Sequence, residues 1–406
     1  MKKILTITIL LLLSVSWAVM AQDSTQQKYK KNKLVKAEAD FLFSYYQQDG
    51  NNAAVTGGLG TELLNNVATN TGFSLVYQDK RENLHSFSFN VGVDSYTSAS
   101  SDNIDPNTIS SASSGDVHVY PSLSWELDNQ KKRFTIGANL SYSTEYDYVS
   151  RGAGISFSKY SPNRNRELSV SLSAFWDQWS LIFPKELRPP KPPGASGDDD
   201  DDDDYATTPR NSYSASIVYN QVINKRLQIA LLTDVVYQQG WLSTPFHRVY
   251  FQGQTQAKIE HLPDTRFKLP FGIRANYFVS DFLILRGYYR YYWDNWGLTA
   301  HTLNLEAPFK MFQGVSFYPF ARLYTQNQAQ YFAPYRQHNL TETFFTSDYD
   351  LSGFSSQFVG VGLRLAPPKG ILIKPLSALS VRYGMYRRST GLASDIFTVN
   401  LTYKFK

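Results

Sequence analysis

The stretch Ile396–Phe405, IFTVNLTYKF, constrains the fold more than any other part of this chain because it alternates strictly between apolar and polar residues. Successive side chains of a β-strand point to opposite faces, so each set occupies one face. A strand with one apolar and one polar face is typical of a membrane barrel with a wet interior. Soluble β-sandwiches also contain such strands, so the rest of the chain must decide. The apolar set is Phe397, Val399, Leu401, Tyr403 and Phe405, and the polar set is Thr398, Asn400, Thr402 and Lys404.

Sixteen stretches of the chain show alternation of this kind, and each is long enough to cross a bilayer when tilted. Together they predict an all-β fold, a transmembrane antiparallel up-and-down β-barrel of about 16 strands. The segment 366–377 is long for a turn and contains three prolines, so fourteen or eighteen strands are also possible. The stretches lie near residues 37–48, 62–78, 84–98, 116–127, 132–146, 151–161, 166–177, 211–222, 225–238, 266–279, 281–293, 296–307, 313–325, 354–366, 377–388 and 395–405.

The connections between these stretches differ in length in a regular way. Those after even-numbered stretches are mainly short turns, such as DNQKK, SPNR and INKR. Those after odd-numbered stretches include the long segments 99–115, 178–210, 239–265 and 326–353. A barrel with short periplasmic turns and long external loops requires this parity, whereas a sandwich does not. The parity favours a barrel in the outer membrane of a Gram-negative cell, with both termini in the periplasm.

Residues 1–21 have the features of a secretory signal peptide, with two lysines, an apolar run and a compact cleavage site. Residues 22–34 are polar and basic, and they predict a flexible periplasmic lead-in. The barrel is then expected over residues 35–406, with an acidic external loop at 178–210.

Composition narrows the possible architectures further. After the signal peptide no segment contains eighteen consecutive apolar residues, which excludes ordinary transmembrane helices from the mature chain. Aromatic residues make up 15% of the chain, as expected for the girdles of a membrane barrel. Cysteine is absent, so disulfides, covalently attached haem and thiolate metal sites are excluded. The strand ladder itself must therefore stabilise the fold.

One loop is strongly acidic in an otherwise basic chain. Without its seven consecutive aspartates and without the two lysines of the signal peptide, the chain has 38 basic and 28 acidic residues. The surrounding prolines and glycines predict a solvated low-complexity loop. Weak binding of calcium or magnesium is the alternative, although the spacing does not match a formed calcium loop, and no other cofactor is expected. The run is Asp198, Asp199, Asp200, Asp201, Asp202, Asp203 and Asp204.

The motifs of enzymes and of nucleic-acid-binding proteins are weak in this chain. Its six histidines show no HxxxH spacing. The run YYRYYW at 288–293 combines basic and aromatic residues, but strand alternation splits them between two faces, so no nucleic-acid partner is expected. Loops rich in Ser and Asp offer nucleophile and base pairs by chance, so no enzymatic activity is expected. The candidates for a hydrolase at the barrel rim are His247, His261 and His338 with Ser243, Asp264 and Asp348.

The arginines of the later strands share the polar parity of those strands and predict a basic lumen wall. On the lipid face each would cost about 2–4 kcal/mol at the middle of the membrane. In a barrel of this size a basic and an acidic wall would face each other across water, and the alternative is that the same charges pair and fill the interior. The basic set is Arg266, Arg274, Arg286, Arg290, Arg322, Arg364 and Arg382; the acidic set is Asp94, Glu126, Glu145, Asp177 and Asp234, with Glu306 an exception among the later strands.

Four segments of the chain resemble an uncharacterised family of outer-membrane barrels, the domain of unknown function 3570. They are the Asp-rich loop, residues 55–62, residues 94–105, and residues 221–251 with the sequence STPFHRVYF near its end. The resemblance implies a barrel but no activity and no functional residues. Members of that family tend to be encoded beside a small lipoprotein, a thioredoxin-like protein and a flavin transferase. The resemblance therefore implies a redox-linked or export system with a periplasmic lipoprotein or thioredoxin-like partner.

The stretch Ile396–Phe405 also resembles the C-terminal assembly signal of bacterial outer-membrane proteins, although Lys406 follows the usual terminal aromatic residue. This resemblance implies the barrel assembly machinery and outer-membrane lipid as partners.

Three functions remain open on the sequence alone. The first is a porin-like channel or exporter with a charged lumen, the second is a plugged surface-structural or partner-binding barrel, and the least favoured is a rim hydrolase.

Overall fold

The computed structural model describes residues 33–97, 115–188 and 205–405. The predicted signal peptide, residues 22–32 of the lead-in and the aspartates at 198–204 lie outside the described residues. No helix in the described part of the chain is long and apolar enough to cross a membrane.

Short 3-10 turns lie at Ala54–Thr56, Lys185–Leu187 and Tyr349–Leu351. The strands are β1 (Lys33–Asp49), β2 (Leu64–Gln78), β3 (Leu84–Thr97), β4 (Gly115–Asn129), β5 (Phe134–Thr144), β6 (Tyr148–Tyr160), β7 (Arg166–Ser180), β8 (Thr207–Val222), β9 (Leu227–Gly240), β10 (Arg248–Tyr250), β11 (Ala257–Ile259), β12 (Thr265–Lys268), β13 (Phe271–Ser280), β14 (Leu283–Trp293), β15 (Thr299–Glu306), β16 (Phe309–Phe312), β17 (Val315–Gln326), β18 (Phe354–Leu365), β19 (Leu376–Arg388) and β20 (Ala393–Lys404).

Eighteen of these strands form one antiparallel sheet that closes on itself. The first strand pairs with the last through twelve residue pairs, from Glu38↔Lys404 to Asp49↔Ala393. The two remaining strands, β10 and β11, form a separate hairpin. Closure leaves no edge strand in the wall, which satisfies the demand of hydrocarbon that backbone polar groups be paired.

Two of the barrel strands are interrupted by proline. β12 and β13 both pair with β9 and form one barrel strand, broken at Pro270. β15 and β16 both pair with β14 and β17 and form another, broken at Pro308. Proline lacks the N–H group that the ladder requires. With each interrupted strand counted once, the barrel has sixteen strands, numbered here as barrel strands 1 to 16 in chain order.

The predicted fold class is therefore confirmed, and each of the sixteen predicted stretches corresponds to one barrel strand. The long connection after barrel strand 14 contains no additional strand, because residues 366–375 carry only the isolated bridge Ile371↔Ile373. Two boundaries differ from the prediction. β1 begins at Lys33, and the acidic loop between β7 and β8 spans residues 181–206.

The connections give the barrel two different ends. Those after even-numbered barrel strands are short, apart from residues 366–375, and they define the turn end. Those after odd-numbered barrel strands define the loop end, and the long ones are residues 50–63, 98–114, 181–206, 241–264 and 327–353.

Large apolar side chains cover the outer face of the wall. Leu140, Ile155 and Leu172, on three neighbouring strands, are 61%, 60% and 49% exposed, an exposure that a lipid-facing band explains. On the inner face of the closing strand, Ser44 Oγ lies 3.2 Å from Thr398 Oγ1. The predicted alternation between an apolar outside and a polar inside therefore holds along the wall.

Deleting Ile396–Lys406 would remove most of β20 and leave β1 and β19 with unpaired edges. Because a closed ladder resists detergent, we expect the complete barrel to change its mobility in SDS gels on boiling and the truncated chain not to do so. Deletion of Lys406 alone, which lies beyond β20, is the control and should preserve the shift. A heat-dependent shift in the truncated chain would contradict closure through β20.

Candidate functional site

The inner face of barrel strands 10 to 15 carries the arginines predicted to form a basic wall. Their sequence neighbours show which way they point. Ile273, Leu285 and Leu323 are exposed on the outer face, so the residues on either side of each in the strand face the lumen. The same alternation places the whole set inside: Arg266, Arg274, Arg286, Arg290, Arg322, Arg364 and Arg382.

Two of these seven arginines are neutralised by acids. Arg266 Nε lies 2.9 Å from Oδ2 of Asp294, a residue with no exposed surface. Arg286 Nη1 lies 2.8 Å from Oε1 of Glu306 on the neighbouring strand. The other five form no ion pair with any carboxylate of the described residues, and they are Arg274, Arg290, Arg322, Arg364 and Arg382.

An acidic wall lines barrel strands 3 to 9. Two of its carboxylates are bound by tyrosines: Tyr120 donates to Asp94 at 3.0 Å, and Tyr96 donates to Glu145 at 2.7 Å. His118 Nδ1 lies 4.0 Å from Asp94 and 3.7 Å from Glu145. The predicted acids of this wall are Asp94, Glu126, Asp177 and Asp234 on the strands and Glu145 at the loop end.

The two walls do not neutralise each other. In a ring of sixteen strands, barrel strands 4 and 5 lie opposite barrel strands 12 and 13. Arg274, Arg322 and Arg364 point inward and are nevertheless exposed, so the lumen beside them is wide enough for water. Positive charge on one wall and negative charge on the other produce an electric field across the lumen.

Folded loops cross the loop end of the barrel. Arg248, in the loop after barrel strand 9, donates from Nη1 to the carbonyl oxygen of Val55, in the loop after barrel strand 1, at 2.7 Å. Those two loops start on opposite sides of the ring, so this contact spans the mouth. Arg248 Nε also lies 2.5 Å from Glu186, in the loop after barrel strand 7. We call these segments the cap: residues 50–63, 181–188, 241–264 and 327–353.

The cap has a small core of its own. Val249 and Phe251, after barrel strand 9, pack against Phe345, after barrel strand 13, with the two phenyl centroids 4.8 Å apart. His338 is fully buried beside them, and its Nε2 lies 2.9 Å from the carbonyl oxygen of Thr346. The cap is therefore a packed structure and not a set of independent loops.

The cap contacts the basic wall and leaves cavities beneath it. Arg388 Nη1 of barrel strand 15 lies 2.6 Å from Asp350 of the cap, and Leu351 packs against two apolar clusters. One cavity of about 340 Å³ and another of about 240 Å³ lie between the cap and the wall. Both cavities are lined by basic and acidic residues together. They include Arg266, Arg290 and Asp350 in the first, and Arg210, Arg266, Lys268, Glu260, Asp348 and Asp350 in the second.

Sequence reasoning did not single out Arg210, Lys268 or Arg388 as lumen residues. Arg210 lies one residue outside the predicted stretch 211–222, and Lys268 lies next to the proline break of its strand. Both share the inward parity of their strands, as does Arg388. Lys268 and Arg388 lie inside their predicted stretches, so applying the parity test to every basic residue would have found them, and extending the stretch 211–222 by one residue would have found Arg210.

Among the described residues, the candidate rim residues do not assemble a hydrolase site. His261 Nδ1 lies 2.7 Å from the carbonyl oxygen of Thr343, and the Ser243 hydroxyl accepts a backbone N–H. A serine–histidine contact occurs instead inside the lumen, between Ser143 Oγ and His118 Nε2 at 2.6 Å. The carboxylates nearest the other nitrogen of His118 are 3.7 Å or more away, so no acid holds the ring as the third member of a triad would.

Three carboxylates at the loop end of the acidic wall have a spacing that could hold a cation. The ligand oxygens of Asp116, Glu145 and Asp147 all lie within 4.8 Å of one another. Carboxylate oxygens are the ligands that calcium and magnesium prefer. The aspartates at 198–204, predicted as a weak cation site, lie outside the described residues and stay a prediction.

Two protonated states are favoured inside the cap. Burial alone would lower the pKa of His247, but the carboxylate of Glu260, 3.5 Å away, outweighs burial and raises that pKa above its usual value. Burial raises the pKa of Asp348 to about 7, and the charge of Asp350 acts in the same direction. Both groups hold a proton more tightly in the folded cap than in the unfolded chain. For Asp348, this contribution to cap stability is lost as the pH rises from the unfolded range of an aspartate through about 7.

Comparisons with known proteins give one family and several barrels of low similarity. Residues 116–393 match the family described as "Protein of unknown function (DUF3570)". A comparison with curated proteins finds no match.

Among solved structures, the chain is similar to OccK1 (OpdK) of Pseudomonas aeruginosa, with 9% identity over 91% of this chain and 98% of that one, and a TM-score of 0.39. It is similar to CdiB from Acinetobacter baumannii, with 9% identity over 90% of this chain and a TM-score of 0.44, and it spans 60% of that chain. A bacterial polysaccharide outer membrane secretin gives 10% identity, 91% and 98% coverage, and a TM-score of 0.44. At these scores the likeness carries no argument about function.

Raising the pH from 6 to 8 should loosen the cap. An acid with a pKa of about 7 in the folded cap and about 3.9 when unfolded destabilises the cap by roughly 1.4 kcal/mol over this interval. We expect limited proteolysis of residues 327–353 to become up to about tenfold faster, after correction for protease activity on an unfolded substrate. Asp348→Asn keeps the acceptor for the Asp350 N–H and should flatten this profile. An equally steep profile in that variant would contradict the assignment to Asp348.

Proposed function

The chain belongs to the DUF3570 family, and from the charges of its lumen we propose that it is an outer-membrane channel for small anions. The observation that carries the proposal is the excess of unneutralised arginine on one inner wall, where five side chains lack an acidic partner among the described residues. Charges that merely filled the interior by pairing would leave no such excess. A basic wall attracts anions into the lumen and repels cations.

The presence of the cap favours a narrow pore over a wide pore for general diffusion. A barrel of sixteen strands without internal obstruction is wide enough for an aqueous channel. Here the contact between Arg248 and Val55 bridges the mouth, and the cavity of about 340 Å³ beneath the cap is lined in part by Arg266 and Arg290. We therefore expect a smaller conductance than an uncapped barrel of this size would have.

Reversal potentials in planar bilayers test the proposal directly. Across a potassium chloride gradient we expect the wild type to favour chloride, and the Arg290→Ser/Arg322→Ser double variant to shift severalfold toward potassium. The control is Lys131→Ser/Arg151→Ser, which removes the same charge from a turn and from the outer face. Unchanged reversal potentials in the Arg290→Ser/Arg322→Ser variant would reject anion selection by this wall.

A plugged barrel that binds a partner is the second candidate, and the packed core of the cap favours it. Phe251 and His338 are buried to 1% and 0% exposure inside a structure that spans the mouth. The same bilayer experiment separates the two candidates. Correctly folded wild type that shows the heat-dependent gel shift but no conductance would reject the channel and leave the plugged barrel.

The orientation of the barrel is part of the proposal and can be tested because the chain has no cysteine. We expect the loop end outside the cell and the turn end in the periplasm. Leu340→Cys, at a position that is 55% exposed in the cap, should react with a membrane-impermeant maleimide on intact cells. Lys131→Cys, in the turn after barrel strand 4, should react only after lysis. The opposite labelling pattern would invert the topology.

Several expectations rest on sequence resemblance alone and stay predictions. They are the redox-linked export system, the lipoprotein or thioredoxin-like partner and the barrel assembly machinery. The lumen charges support transport of anions without indicating any such partner.

A further inference from the structure

Two unneutralised arginines on barrel strands 10 and 11 flank a glycine covered by a tyrosine ring. Arg290 is directly opposite Gly272, and Arg274 lies two residues further along the strand. A Cβ atom on Gly272 would lie 2.9 Å from the ring of Tyr288, so the glycine lets that ring lie flat on the wall. The guanidinium carbon of Arg274 is 5.7 Å from the centre of the same ring. The ring therefore contacts the guanidinium group from the side of the barrel wall.

A related arrangement on barrel strands 14 and 15 uses aromatic rings from barrel strand 13. Arg382 is directly opposite Gly362, and Arg364 lies two residues further along the strand. A Cβ atom on Gly362 would lie 2.1 Å from the ring of Tyr318, so this ring also lies flat on its glycine. The guanidinium carbon of Arg382 is 3.6 Å from the ring centre of Phe320, which holds the arginine against the wall.

In each pair, neither arginine forms an ion pair with a carboxylate of the described residues. The backbones of diagonal neighbours across an antiparallel pair of strands are about 7–8 Å apart, so the two like charges of a pair enter the same stretch of the lumen and repel each other. The hydroxyl groups of Tyr288 and Tyr318 make no hydrogen bond within the described residues. Each site thus offers two planar guanidinium donors and one phenol donor to an incoming group.

The donor set of each pair matches a carboxylate. The guanidinium group presents its N–H donors in a fixed planar fork that binds both oxygens of a carboxylate at once. Bound between the two arginines, such a group would replace their mutual repulsion with charge-assisted hydrogen bonds. Chloride, a sphere, gains nothing from the fork, so the sites should distinguish the two anions.

The two pairs lie at different depths in the lumen. Arg290 is near the loop-end terminus of its strand, three residues from Trp293. Arg364 is next to Leu365, the turn-end terminus of its strand. A solute that enters beneath the cap would meet the first pair before the second. Conduction through a selective pore requires binding at several sites of moderate affinity in this way.

We propose that the pairs Arg274–Arg290 and Arg364–Arg382 are two successive binding sites for the carboxylate groups of small organic acids. The inference rests on the proposed function, because it names the substrate class of that channel. It assigns to the pairs a recognition of carboxylate shape in addition to the anion selectivity that any basic wall would give.

Potassium acetate and potassium chloride at equal ionic strength are the probes. In planar bilayers we expect acetate conductance to saturate at a lower concentration than chloride conductance. In detergent we expect acetate to raise the temperature at which the gel-mobility shift occurs, since a ligand of the folded barrel stabilises it. The second measurement does not depend on an open pore. Inorganic phosphate at the same ionic strength tests whether the sites prefer carboxylates over other oxyanions.

The decisive variants keep the positive charge but replace the planar guanidinium group of arginine with the ammonium group of lysine. Arg274→Lys/Arg290→Lys and Arg364→Lys/Arg382→Lys should each retain anion selectivity but lose part of the acetate effect, and the fourfold lysine variant should lose it entirely. The matched control is Lys131→Arg, in a turn outside the lumen, which should behave as wild type.

The outcomes distinguish this inference from the proposed function. Wild type that conducts anions but treats acetate and chloride alike would overturn the two sites and leave the channel. Wild type that is stabilised by acetate but does not conduct would support the sites and overturn the channel. Stabilisation by phosphate as large as that by acetate, or a full acetate effect in the fourfold lysine variant, would overturn the carboxylate assignment.

Discussion

The structure depends on one constraint, that hydrocarbon offers no partner to an unpaired backbone N–H or C=O group. The wall meets this constraint only when β1 pairs with β20, and those two strands are separated by almost the whole chain. An open sheet of the same strands would expose two edges to lipid. Every strand must therefore keep its register and its parity around the ring. The inward direction of each arginine is a consequence of that parity.

Because the period of a strand is two, the sequence was sufficient to predict most of the wall. The number of strands, their positions and the parity of Arg274 and Arg364 follow from alternation between apolar and polar residues. The errors occur where local chemistry interrupts that period. Pro270 and Pro308 split barrel strands, and Lys268, next to such a break, was not recognised as a lumen residue.

The cap could not be predicted in the same way because its contacts follow no local period. Arg248 and Val55 are 193 residues apart in sequence and come from loops on opposite sides of the ring. His338, suggested by the sequence only as a rim residue, is buried in a core contributed by two of these loops. The sequence showed that these loops are long. Their packing against one another depends on a ring that forms only when the whole chain has folded, so it left no signal in the sequence.

The bridge across the mouth also has a mechanical meaning. A closed sheet of sixteen strands is a thin-walled tube that can flatten into an ellipse without breaking any hydrogen bond. Arg248, Val55 and Glu186 form a cross-brace over one rim, so flattening there would stretch these contacts. The connections described at the other rim, including the longer segment 366–375, join only adjacent strands, so they offer no such brace. The two rims should therefore differ in stiffness, because only the loop end has contacts that hold opposite sides of the ring at a fixed distance.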